Sequence, residues 1–207
     1  MVPTKTKKIN QTPLPTKPPR QSSAIEPSSL ITYSGLADGS LSSLGLIEQD
    51  GFDDNPSAYV QFETSNLTYL GYKSFYLPTN AQVANISAML LQVNFKKTEP
   101  AQVWTWSAYD WTTGNWVSLG DSRGTQHNEW NTMLFSINSV SRYVSAAGEV
   151  RIRLQSGAQI GDLKLDYESL HITYEPVAPT PTNVVPTALP TKPPYIFPAT
   201  FTPTTAP

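Results

Sequence analysis

Through the middle of this chain, hydrophobic and polar residues alternate with a period of two. Ala58, Val60 and Phe62 alternate with Tyr59, Gln61 and Glu63; Leu91, Val93 and Phe95 alternate with Gln92, Asn94 and Lys96. Trp104, Trp106 and Ala108 share one face, as do Val150, Ile152 and Leu154, and then Leu163, Leu165 and Tyr167. Successive side chains of a strand point to opposite faces, so this pattern predicts half-buried antiparallel strands. Turn-forming clusters separate them: Ala37–Ser40, Asp50–Pro56, Leu77–Asn80, Thr113–Asn115 and Gln155–Gly157. No segment carries a helical apolar stripe. Short strands at this spacing predict an all-β fold, an antiparallel β-sandwich of jelly-roll-like type.

One hairpin can be drawn in register. With Ser156–Gly161 as its turn, Leu154 faces Leu165 and Ile152 faces Tyr167 on the core side. Arg153 then faces Asp166, and Arg151 faces Glu168. Opposite charges across strands favour that pairing by about 0.2–1 kcal/mol each.

Composition sets the limits of the module. Of 22 aromatic residues, 19 fall within residues 28–175, and all 11 glycines do. Only Pro56, Pro78 and Pro100 of the 19 prolines lie there. Residues 28–175 are therefore expected to form the β-sandwich, and the Pro/Thr-rich segments 1–27 and 176–207 to be disordered linkers with too little to bury. The hexapeptide Leu-Pro-Thr-Lys-Pro-Pro occurs in both flanks, at Leu14–Pro19 and Leu189–Pro194. A duplicated linker suggests a module shuffled into a larger array. Proline-rich spacers extend at about 3 Å per residue.

Charge narrows the partners. Residues 28–175 carry eight Lys/Arg against fifteen Asp/Glu. An acidic core argues against nucleic acid, whose binding rests on phosphate neutralisation by cations. The chain has no cysteine, which excludes disulfides and thiolate metal sites. No apolar run reaches the roughly 18 residues of a membrane span. The opening Met1–Thr6 lacks the apolar stretch of a signal peptide, so an exported module is expected to be a piece of a longer protein, extracellular or at the cell surface, with neighbouring domains.

Three constellations bear on chemistry. Gly120-Asp121-Ser122-Arg123-Gly124 matches the G-x-S-x-G pattern of serine hydrolases, but that motif needs a strand, a sharp elbow and a helix. Thr125–Trp130 reads instead as a loop entering another strand. Both histidines, His127 and His171, follow Ser122, which excludes a chymotrypsin-like order. A hydrolase needs Ser122 within hydrogen-bond reach of one of them. Asp50, Asp53 and Asp54 cluster in one loop and are candidate ligands for a structural Ca²⁺, the one cofactor considered. The tryptophans are the most distinctive feature. Trp104 and Trp106 are expected in the core. Trp111, Trp116 and Trp130 lie near turns and are candidates for stacking on sugar rings. Asp110, Arg123 and Asn128 are the candidate hydrogen-bonding groups beside them.

The stretch Val103–Gly120, with Gly148–Ser156 and Leu165–Tyr167, resembles a bacterial β-sandwich accessory module of the galactose-binding-like group. Such modules occur in modular secreted proteins, some beside glycoside hydrolases such as polygalactosaminidases. The resemblance covers about residues 55–175 well and 28–54 weakly, and it implies a non-catalytic accessory role. It carries no ligand residue over. The function expected is therefore carbohydrate or cell-surface glycan binding, with a ligand-free spacer or adhesin domain as the alternative.

Overall fold

The computed structural model describes residues 19–177, apart from Leu67 and Ala158. The chain divides into two units, Met1–Val177 and Ala178–Pro207. The second lies outside the described residues, as do Leu189–Pro194 and all of Leu14–Pro19 but Pro19.

Eleven strands form two antiparallel sheets, with four short 3₁₀ turns and no α-helix among the described residues. The strands are β1 (Gln21–Ile25), β2 (Ser29–Ser34), β3 (Leu36–Asp38), β4 (Val60–Glu63), β5 (Leu70–Tyr76) and β6 (Ile86–Lys97). They continue with β7 (Trp104–Asp110), β8 (Asn115–Asp121), β9 (Asn131–Ser136), β10 (Glu149–Ser156) and β11 (Leu163–Tyr174). One sheet has the order β3-β4-β11-β6-β9, with β1 also on β11; the other has the order β2-β5-β10-β7-β8. We call these the β11 sheet and the β10 sheet. Their inner faces enclose one core, in which Phe95 and Phe135 of the first pack on Trp106 of the second at 5.1 and 5.5 Å between ring centroids. Trp104 and Trp106 are fully buried there, as their alternation predicts. The fold is the expected jelly-roll-like β-sandwich.

Three details depart from the sequence reading. The module begins before Ser28, because β1 lies inside the expected first linker and pairs with β11 from Gln21↔Tyr174 to Ile25↔Leu170. β1 has little apolar content, and what holds it is backbone pairing along a free stretch of β11, which no side-chain pattern announces. The β10–β11 hairpin does not form. β10 pairs with β5 and β7, whereas β11 pairs with β1, β4 and β6, so residues 157–162 cross between sheets. Arg153 lies opposite Tyr72 and Ser107, not Asp166.

The third departure is a bulge in β11 between Leu165 and Tyr167. One extra residue reverses the side-chain phase. Leu163 and Leu165 point inward before it, and Glu168, Leu170, Ile172 and Tyr174 do so after it. Asp166 is buried at the bulge. Its Oδ2 accepts the backbone N–H groups of Glu48 and Gln49 at 3.1 and 2.7 Å, and its Oδ1 accepts Asn94 Nδ2 at 2.8 Å. The carboxylate thereby fastens the loop of residues 45–55 over the outer face of the β11 sheet, which is why Asn94 and Lys96 are buried rather than solvated.

Candidate functional site

The outer face of the β10 sheet is not covered in this way, and the aromatic residues that avoid the core collect there. Inward positions of β10 are Val150, Ile152 and Leu154, leaving Arg151 and Arg153 to point out. On β7 the same alternation turns Tyr109 outward, directly opposite Trp116 of β8. Tyr72 of β5 lies across from Arg153. Tyr33 of β2 completes the row at the sheet edge, two-thirds exposed.

These rings form one array. Centroid separations are 6.0 Å for Tyr33–Tyr72, 5.9 Å for Tyr72–Trp116, 5.1 Å for Trp116–Tyr109 and 4.9 Å for Tyr109–Trp111. All but Tyr33 are half-buried. Two guanidinium groups thread the array. Arg151 lies 4.6 Å from the Trp111 centroid and 5.2 Å from that of Tyr72, and Arg153 lies 5.0 Å from that of Trp116. Such cation–π contacts hold flat groups in fixed orientation. An open depression of about 560 Å³ adjoins the array, lined by Trp111, Val144, Ser145, Ala147, Glu149 and Arg151 among others.

Charges on this face are organised. Glu149 accepts two bonds from Arg151, at 2.9 and 3.0 Å, and one from Ser74 Oγ at 2.7 Å. Burial by itself raises the Glu149 carboxyl, but those donors outweigh it and hold the group below its usual range. Burial also pushes the Tyr72 hydroxyl up and the Arg153 guanidinium down.

The turn after β7 positions Trp111. Asp110 is buried, and its Oδ1 accepts the backbone N–H groups of Thr112 and Thr113 at 2.9 and 3.3 Å. Its Oδ2 accepts Thr113 Oγ1 at 2.9 Å and also pairs with Arg142. Gly114 closes the turn at φ +71°, where a Cβ is disfavoured. Trp111 N–H donates to Arg142 O at 2.8 Å, so the same arginine anchors both residues.

The six candidate ligand residues therefore fall into different places. Trp111 and Trp116 stand together in the array. Asp110 has its carboxylate engaged by the turn and Arg142, so it orients Trp111 and is not free for a ligand. Trp130 is buried, with its Nε1 donating to Asp53 O at 2.8 Å and its ring packed on Tyr59. It anchors the 45–55 loop and offers no stacking surface. Arg123 is exposed and pairs with Asp121 at 3.1 Å, and Asn128 is exposed in the loop before β9. No hydrogen bond, ion pair or ring contact joins either to the array. Sequence reasoning missed Tyr33, Tyr72, Tyr109, Arg151 and Arg153. The signal is present in the outward positions of β7 and β10, but charge pairing places the two arginines in the hairpin that does not form.

Two carboxylates of the acidic loop are engaged within the protein. Asp54 accepts Lys164 Nζ at 2.7 and 2.8 Å and the Tyr59 hydroxyl at 2.9 Å, while an Asp50 oxygen accepts Gly51 N–H. Among the described residues no group of three His, Cys, Asp or Glu side chains could hold a metal ion. The serine motif has a packing explanation at each position. Gly120 lies against the Phe135 ring, the buried Ser122 Oγ accepts Trp104 N–H at 3.0 Å, and Gly124 turns the chain at φ +77°. His171 bonds Tyr167 at 2.9 Å on the other sheet, and neither histidine hydrogen-bonds Ser122.

Residues 47–167 match the family described as the N-terminal glycosyl-hydrolase-114-associated domain. The chain belongs to this family. The match runs from the loop fastened by Asp166 to the bulge in β11 and includes Tyr72, Tyr109, Trp111, Trp116 and both outward arginines. No curated protein matches the chain. Solved structures similar to it include TmCBM61 in complex with beta-1,4-galactotriose, at 14% identity over 73% of this chain and 87% of that one, TM-score 0.39. A family 29 carbohydrate-binding module is 8% identical over 74% and 89% of the two chains, TM-score 0.43. A family 35 module from Clostridium thermocellum is 15% identical over 72% and 97%, TM-score 0.40.

Proposed function

We propose that this module is a non-catalytic glycan-binding domain within a larger, modular extracellular protein, and that it binds through the outer face of the β10 sheet. The observation that carries this reading is the unbroken row Tyr33–Tyr72–Trp116–Tyr109–Trp111 beside an open depression. A pyranose ring presents an apolar C–H surface and a polar rim. Aromatic surfaces accept the first, and fixed polar groups orient the second. Membership of a family associated with a glycoside hydrolase supports a polysaccharide partner. The rings are held by one another and by arginine, so little freedom is lost on binding.

Affinity electrophoresis through gels containing polysaccharides tests the reading. Trp116→Ala and Trp111→Ala are each expected to weaken retention by roughly tenfold or more, because aromatic anchors carry a large share of binding energy. Substitution of exposed Phe52, on the far side of the sandwich, is expected to leave it unchanged. Absence of retention on every polysaccharide would favour the spacer reading.

A further inference from the structure

The glycan face contains one cation that the fold leaves without a counter-charge. Five arginines lie among the described residues, and four have a carboxylate: Arg20 with Glu175, Arg123 with Asp121, Arg142 with Asp110 and Arg151 with Glu149. Arg153 has none. Among the described residues it makes no hydrogen bond or ion pair, and its Nε is buried without a partner. Its contact is with the Trp116 ring, and its strand neighbours on either side are Tyr72 and Ser107.

Arg153 is half-buried: its Nε is shut off from solvent, and a polar group buried without a partner is costly. Among the described residues none of the fifteen acidic side chains of residues 28–175 forms an ion pair with it, and the Trp116 ring lies against it instead. Its position is central: β10 is the middle strand of its sheet, and Arg153 lies within the row of rings. A planar guanidinium matches a carboxylate by two parallel hydrogen bonds, a geometry that a sugar hydroxyl cannot reproduce.

Building on the glycan-binding reading, we propose that Arg153 is the specificity-determining residue of the face and that the ligand is an acidic glycan, whose uronate carboxylate forms a bidentate pair with Arg153 while neighbouring rings hold the sugar. Neutral glycans meet the rings but leave the guanidinium uncompensated. Cationic amino-sugar polymers are disfavoured by the uncompensated charge of Arg153.

The test is affinity electrophoresis of the full chain at about 0.15 M salt, which screens non-specific attraction. The probes are polygalacturonate, its methyl ester, neutral galactan and chitosan. Retention on polygalacturonate is expected, with at least a tenfold loss on the methyl ester and in Arg153→Gln. Arg153→Lys, which keeps the charge but loses the fork, is expected to recover only part of the affinity. Full recovery by lysine would overturn the bidentate assignment. Equal retention on the ester, or preference for galactan or chitosan, would overturn the acidic-glycan assignment and leave the glycan reading standing. No retention on any of the four, nor on a wider set of polysaccharides, would overturn both. The ester arm uses the unaltered protein, so it remains decisive if an Arg153 variant fails to fold.

Discussion

At the scale of single residues, the position of Trp111 depends on the Asp110 carboxylate, which is engaged by the turn and by Arg142. Burial works to raise the Asp110 carboxyl, but the pair with Arg142 and the turn donors Thr113 and Thr112 overcome it and hold the group at about 2, against an ordinary 3.8. A folded pKa below the unfolded one means that the charged form stabilises the fold. That contribution is complete above about pH 4 and is lost as pH falls through about 2. Asp166 works in the opposite sense, because burial pushes its carboxyl up. A single acid melt mixes these effects, whereas comparison with Asp110→Asn isolates one. The melting temperature of Asp110→Asn is expected to lie below that of the parent at pH 6, with the gap closing towards pH 2. A gap that is constant with pH would assign the effect to hydrogen-bond geometry and not to charge.

At the scale of elements, close approach between the sheet edges explains residues that looked like chemistry. Gly120 of β8 meets Phe135 of β9, and a Cβ built on Gly120 would clash with the ring of that buried phenylalanine. Phe135 is itself packed on Trp106, so it has little room to move. Gly120→Ala is therefore expected to destabilise the module by about 1–3 kcal/mol through overpacking, measured by denaturant unfolding. An unchanged midpoint would mean that Phe135 shifts freely. The same closeness shows what was legible in the sequence. Alternation identified the inward residues of β6, β7 and β10, because each strand keeps one phase through its core contacts. It failed on β11, where the bulge at Asp166 changes phase within a strand. It failed on β1, whose pairing is made by backbone. It also paired neighbouring strands that belong to different sheets, since charge complementarity between Arg153 and Asp166 carries no information about which sheet a strand joins. Trp111 and Trp116 were legible as turn-flanking rings. Their partners Tyr72 and Tyr33 come from strands about forty or more residues away in sequence, and only sheet order brings them together.

At the scale of the whole molecule, the two sheets are joined across their core by one ion pair. Lys73 of β5 reaches Glu168 of β11 at 2.9 Å, and both side chains are fully buried. The ammonium also lies 4.7 Å from the Phe62 ring centroid. Apolar packing between flat sheets tolerates sliding, whereas a charge pair in the core is satisfied at one alignment. Its desolvation cost means that it adds little net stability over apolar residues of similar size. The two statements separate by experiment. Glu168→Ala strands the Lys73 charge and is expected to cost about 3–5 kcal/mol, or a fall of roughly 10 °C in Tm for a module of this size. Lys73→Met combined with Glu168→Leu removes both charges and is expected to restore or exceed parental stability. If the double variant is stable but binds glycan less well, the pair serves alignment, because β5 carries Tyr72 into the array and its register with β10 positions that ring beside Arg153. If the double variant is as unstable as Glu168→Ala, the pair is a net source of stability, and the alignment role loses its support.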